Sequence, residues 1–163
     1  MGGPSRVLVT GGSGFLGSEI CRRLVARGTD TVSFSRRPSA ALARIGVRQF
    51  QGDLADPTAV ARALAGCDAV IHSAALVGVG GPPHPYWATN VDGTRHVVEQ
   101  CRAQEVRTLV HTSTAGVVLG PDGLANADES TPLPCCSSGC RLGGPDRAAT
   151  HTPLRMGGRA VVS

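Results

Sequence analysis

Four glycines fall within seven residues, at Gly11, Gly12, Gly14 and Gly17, between an apolar β-branched run and a stretch of helical spacing. The run is Arg6–Thr10 (RVLVT), and residues 15–27 carry the helical pattern, so the segment reads as strand, tight turn, helix. At such a junction each glycine has a physical task. Gly11 makes the turn, Gly14 lets backbone approach a ligand with no Cβ in the way, and Gly17 lets helix pack on strand. The helix start then offers free N–H groups to an anion such as a pyrophosphate. A loop that merely needed flexibility would not require a strand before it and a helix after it.

The same alternation continues down the chain. Gly28 sits where a helix C-cap belongs, 31–35 and 47–51 read as strands, and Asp56-Pro57 caps and opens a helix over 58–65. Ala69–His72 gives a fourth strand, a helix over about 86–104 turns Val91, Val97, Val98 and Cys101 to one side, and 108–112 gives a fifth strand. Strands alternating with helices predict a Rossmann-type, doubly wound α/β domain with a parallel sheet in the order 3-2-1-4-5. The 163 residues suffice for one domain, placed at 1–134. Residues 135–163, broken by Gly139, Gly143-Gly144-Pro145, Pro153 and Gly157-Gly158, are expected to form an irregular tail, so the sheet should end after about its fifth strand.

The net charge of +4 suggests a nucleic-acid partner until it is located. Residues 1–134 hold 12 arginines against 11 acids, while 135–163 hold 4 against 1, with no basic helix or aromatic-interleaved stripe, so none is expected. No apolar run reaches the roughly 18 to 20 residues of a membrane span, and no secretory h-region opens the chain. A cytoplasmic protein with reduced thiols is therefore expected. Cys135, Cys136, Cys140 and His151 lack the spacing of a zinc site, and no metal is predicted.

At the end of the second predicted strand, 18 residues after Gly17, stand Ser35-Arg36-Arg37. A site specific for NAD places a carboxylate there against the ribose hydroxyls, whereas arginine pairs with a 2′-phosphate through charge-assisted bonds. NADP is the expected cofactor, with NAD as the alternative.

Six motifs, TGGSGFLG at 10–17, GDLAD at 52–56, DAVIHSAA at 68–75, YWATNVDGT at 86–94, LVHTSTAGVV at 109–118 and NADESTP at 126–132, agree in order and spacing with one family. Over about residues 6–134 the chain resembles the extended short-chain dehydrogenases/reductases, in their 3β-hydroxysteroid dehydrogenase-like branch. It looks especially similar to bacterial NADPH-dependent reductases of long-chain 2-alkyl-3-oxo acids. The resemblance implies that Thr10, Gly11, Gly14, Phe15, Leu16 and Gly17 form the phosphate turn and that Arg36 and Arg37 meet the ribose end. It further implies that Asp53 and Leu54 flank the adenine, that Ala74 and Ala75 line the ribose side, and that Asn90 steadies the central helix. Thr114, third in Thr112-Ser113-Thr114, takes the place of the catalytic hydroxyl, hydrogen-bonded to the substrate oxygen.

The resemblance stops at the family's Tyr-x-x-x-Lys pair. All 16 basic residues are arginine, and the only tyrosine, Tyr86, precedes the hydroxyl triplet rather than following it. A truncated or frameshifted form, limited to dinucleotide binding, is the expectation. The whole reading is an NAD(P)-dependent oxidoreductase acting on a small molecule such as a steroid or long-chain ketone, with a homodimer left open. The alternatives are a non-catalytic dinucleotide sensor and a fragment of a nucleotide-sugar epimerase or dehydratase.

Overall fold

A computed structural model describes residues 5–77, 83–113 and 160–162, the last three by backbone alone. The apolar run Arg6–Thr10 becomes β1, and the helical pattern after the glycines becomes α1 (Phe15–Ala26). Gly28, at φ +75°, lets the chain reverse after α1, its N–H bonding to the Val25 carbonyl at 2.9 Å. Then follow β2 (Asp30–Ser35), α2 (Ala40–Arg44), β3 (Arg48–Gln51), α3 (Pro57–Leu64) and β4 (Ala69–His72). The Asp56 carboxylate accepts hydrogen bonds from Thr58 N and Ala59 N at 2.9 and 3.2 Å, with Pro57 in the first turn of α3.

One continuous helix follows, in three parts: α4 (Pro83–Tyr86), a π-helical segment (Trp87–Asp92) and α5 (Gly93–Ala103). It leads to β5 (Thr108–His111), and β6 (Ala160–Val162) completes the strands. All pair in parallel in the order β3-β2-β1-β4-β5-β6, as the alternating pattern requires. Thr10 stands level with Phe34 on one side and His72 on the other, so three strands end together at one edge of the sheet. In an open α/β sheet that edge is where a ligand binds.

The core has two faces, set by strand alternation. Leu8, Val32, Val70 and Leu109 face α3 and α5, where they meet Val60, Leu64, Val97 and Cys101. Val7 and Val9 face the other way, onto Cys21 of α1 and Leu42 of α2. Burying each such Val or Leu is worth about 1.5–3 kcal/mol.

Three features differ from the sequence reading. The five residues of α2 are too few for periodicity to show, although buried Leu42 anchors the helix. The helix predicted over about 86–104 is regular only from Gly93, because the π segment intervenes. The sheet does not end at β5: Ala160–Val162 pairs in parallel with it, Val162 opposite His111. An irregular tail through Ser163 was expected because three residues of β-forming character are too short a run to register among the glycines around them. The rest of the tail lies outside the described residues.

Candidate functional site: a glycine-floored cleft at the strand ends

The turn after β1 leaves no room for a Cβ at three of its positions, Gly11, Gly12 and Gly17, the Cβ at Gly12 falling 2.9 Å from that of Ser33. Gly11 adopts φ +70°, and a Cβ there would lie 2.9 Å from the Ala74 Cα. At Gly17 a Cβ would meet the Gly11 carbonyl, 2.7 Å from its carbon, and the Gly12 Cα at 2.9 Å. Gly14 is different. Its backbone is ordinary extended chain (φ −82°, ψ 176°), and the one atom near an added Cβ would be the Gly11 oxygen at 3.2 Å. Packing within the protein thus restricts position 14 less than 11 or 17, and the bare backbone faces the cleft that Gly11, Ser13 and Gly14 line. No side chain caps α1, whose first N–H groups remain available to an anion. Phe15 and Leu16, in that first turn, are exposed.

Opposite the turn, the cleft is walled by the end of β2 and the loop after β3. Arg36 and Arg37 line it, and among the described residues neither guanidinium is paired with a carboxylate. The segment that carries them is held by side chains bonded to its backbone: Ser35 Oγ donates to the Arg37 carbonyl at 2.9 Å, and Gln51 Nε2 to the Arg36 carbonyl at 3.0 Å. Asp53 and Leu54 also line the cleft. Asp53 Oδ1 accepts from Ala55 N at 3.0 Å, so the residue shapes its own loop as well. Leu54 is buried, and its carbonyl accepts a 2.8 Å hydrogen bond from His96 Nδ1.

The third wall is the segment leaving β4. Ser73, Ala74 and Ala75 line the cleft, together with Thr89 of the π segment. Asn90 does not. It is buried, and its amide clamps the β4 exit, Oδ1 accepting from Leu76 N at 2.8 Å and Nδ2 donating to Leu76 O at 3.0 Å. These two bonds tie the helix to the loop that leaves β4. Thr10 likewise lies behind the turn, 1% exposed, and Thr114 is outside the described residues. Thr112 begins the hydroxyl triplet beside β4, its N–H donating to the His72 carbonyl at 2.9 Å.

Sequence reading missed Ser13, Phe34, Gly52, Ser73 and Thr89 as cleft residues, and His72 as the polar centre beneath it. His72 sits between Thr10 Oγ1 at 2.6 Å and Thr94 Oγ1 at 3.1 Å, and stacks on His111 with ring centroids 5.2 Å apart. Burial, reinforced by His111, pushes the His72 pKa down to about 3. Burial also lowers that of His111, whose ring nitrogens have no partner among the described residues. A polar residue in a strand pattern, at alternating position with Val70, was the signal available.

The sign of this shift sets a pH dependence. Below the ordinary value of 6.5 the unfolded chain takes up a proton at residue 72 that the folded chain refuses. Stability therefore rises with pH between about 3 and 6.5 and is level above that window, as far as this group is concerned. Urea unfolding should show His72 alone removing about 2 kcal/mol between pH 7 and pH 5, where carboxylates stay ionised. A His72→Leu variant with an unchanged loss over that interval would refute the assignment.

Cys21 and Cys67 are pushed to about 11, and Cys101 to about 12, chiefly by burial, so these thiols are core groups and not nucleophiles.

A parallel sheet whose strand ends carry a glycine turn, a bare helix N-terminus and a cleft between them is the architecture of a Rossmann-type α/β domain. The model of the 3-beta hydroxysteroid dehydrogenase/isomerase family matches residues 8–141, and the chain belongs to that family. The 2-alkyl-3-oxoalkanoate reductase of Stenotrophomonas maltophilia (strain K279a) is 48% identical over 112 residues, covering 69% of this chain and 34% of that protein. The 3-beta-hydroxysteroid dehydrogenase of Mycolicibacterium neoaurum is 35% identical over 134 residues, covering 78% and 37%. The chain thus spans about a third of the length of the curated relatives it matches. Among solved structures, the UDP-glucose 4-epimerase of Thermus thermophilus in complex with NAD superposes with a TM-score of 0.72 at 33% identity, over 88% of this chain and 47% of that one. No helix among the described residues is long and apolar enough to cross a membrane.

Proposed function

We propose that the chain is the dinucleotide-binding part of an NADP(H)-dependent oxidoreductase that acts on a CH–OH or ketone carbon. The observation that carries this reading is Gly14, a glycine which packing restricts less than Gly11 or Gly17 and which bares the start of α1 toward a cleft rimmed by Arg36 and Arg37. The residues fit the group: a pyrophosphate needs close approach and backbone N–H donors, and Gly11 and Gly14, whose own N–H groups bond to the Phe34 and Gly11 carbonyls, give the approach while Phe15, Leu16 and Gly17 at the start of α1 give the donors, with Thr10 fixing the turn from behind. Arg36 and Arg37 take the 2′-phosphate. Asp53 and Leu54 bound the adenine, while Ala74 and Ala75 leave room for the ribose beside the β4 exit that Asn90 holds. When bound, the dinucleotide supplies or accepts a hydride. This chain's part is to seat it at the strand ends and, through Thr114, to hydrogen-bond the substrate oxygen.

The proposed substrate is a steroid or long-chain ketone, in line with the names of the reductase and dehydrogenase relatives. Residues 1–134 form the proposed binding domain, to which β6 adds an edge strand.

Calorimetric titration tests the cofactor choice. Wild-type chain should bind NADPH more tightly than NADH, and an Arg36→Ala/Arg37→Ala double variant should weaken NADPH binding about 10- to 100-fold while leaving NADH nearly unchanged. A double variant that keeps the NADPH preference would show that these arginines do not discriminate the two cofactors.

A further inference from the structure

Beneath the cleft runs a chain of hydrogen bonds whose direction is set from its Thr94 end. The Ala74 N–H donates to Thr10 Oγ1 at 3.2 Å, which leaves that hydroxyl its proton and one lone pair, and His72 Nδ1 lies 2.6 Å away. At the other side of the ring, Thr94 Oγ1 donates to the Asn90 carbonyl at 2.7 Å. It can therefore only accept from His72 Nε2, 3.1 Å distant. The order is Ala74 N–H to Thr10, Thr10 O–H to Nδ1, Nε2–H to Thr94, and Thr94 O–H to Asn90. A neutral imidazole carrying its proton on Nε2 satisfies every link, its bare Nδ1 accepting from Thr10, whereas the Nδ1–H tautomer would leave no proton between Nε2 and Thr94 Oγ1.

The three cleft walls meet at this ring. Thr10 precedes Gly11, and its carbonyl accepts from Ser73 Oγ at 2.8 Å. Ala74 touches the spot where a Gly11 Cβ would sit. Thr94 and Asn90 belong to the helix that carries Thr89 into the cleft, and Asn90 clamps Leu76. The groups facing the ring are Thr10 of β1, Thr94 of α5 and His111 of β5, of which only His111 titrates. No part of His72 lines the cleft, so it touches no ligand there.

We propose that His72, held as the Nε2–H tautomer by Thr10 and Thr94, is a positioning residue that fixes the spacing between the glycine turn, the β4 exit and the helix, and so sets dinucleotide affinity. The proposal rests on the dinucleotide-binding reading given above. Shifting one wall by the difference between a hydrogen bond and a van der Waals contact opens the cleft where Gly11 and Ala74 now nearly touch.

The test pairs a spectroscopic signature with affinity. In ¹⁵N-labelled wild type at pH 7, the His72 ring should show an unprotonated Nδ1 and a protonated Nε2. A protonated Nδ1, or a ring averaging between tautomers, overturns the assignment whether or not any ligand binds. NADPH is then titrated into Thr10→Val, Thr94→Val and Thr10→Ser under conditions where circular dichroism shows each variant folded. The two valine variants should bind about tenfold more weakly, the value of one hydrogen bond near 1.4 kcal/mol, and the serine variant within about twofold of wild type. Valine variants that bind like wild type overturn the positioning role. Wild type that binds neither NADPH nor NADH instead overturns the dinucleotide reading, and the ring shifts still decide the tautomer.

Discussion

Gly17→Ala should destabilise the fold by about 1–3 kcal/mol and weaken NADPH binding at least about 100-fold in the fraction that remains folded. The added Cβ meets backbone rather than a side chain that can swing aside, 2.7 Å from the Gly11 carbonyl carbon and 2.9 Å from the Gly12 Cα. Relief requires α1 to lift from β1 or the turn to open, and either movement carries the Gly14 and Phe15 backbone away from the phosphate position. Gly28→Ala is the control. It too replaces a glycine beside α1, here at positive φ, but nothing lies within 4 Å of its Cβ, and it sits at the far end of the helix. Its loss should be about 1 kcal/mol of stability from left-handed backbone, with NADPH affinity unchanged. Denaturant midpoints and calorimetric titration on the same samples separate the two effects. If Gly17→Ala bound NADPH as wild type does, the tight turn would not be what forms the site.

The second large effect is an expected failure. The 163-residue chain, supplied with NADPH and a panel of steroid and long-chain ketones, should oxidise NADPH no faster than the ketone-free control. The sequence holds no lysine, and its tyrosine precedes the hydroxyl triplet, so no Tyr-x-x-x-Lys pair is present to deliver a proton. General acid catalysis of that kind contributes about 10² to 10⁴-fold. Thr114 is a hydrogen-bond donor too weakly acidic to replace it. His111 is a poor substitute, since its ring is buried against His72. Absorbance at 340 nm reads the rate, with a full-length relative as positive control. Ketone-dependent turnover that disappears in Thr114→Ala would show that the chain carries a proton donor of its own.

What the sequence disclosed follows a physical divide. Elements with a clear period, such as α1, α3 and the central β1, were legible because burial on one face writes itself into residue spacing. The glycine turn was legible because its geometry admits no other residue at Gly11 and Gly17. Two short elements were not: α2 has five residues and β6 three, and neither carries enough of a period to stand out from its surroundings. The π segment was hidden for another reason, since WATNVD suits an α-helix equally well and only tertiary contacts such as Asn90 on Leu76 distinguish the two. His72 looked like one polar residue in an apolar strand. Its importance lies in partners 62 residues before it and 22 after it, which no local pattern reveals.

The affinity loss in Gly17→Ala, and the role of the buried histidine, presuppose that a dinucleotide occupies the cleft at the glycine turn. Titrating NADPH into ¹⁵N-labelled wild-type chain and following the backbone amides tests this directly. The expected result is saturable binding to one site, with the largest shifts at Gly11, Ser13, Gly14, Phe15 and Leu16, a second group at Arg36 and Arg37, and little change at Gly28 or Gly46. Absence of saturable shifts, or shifts centred away from the glycine turn, would contradict it.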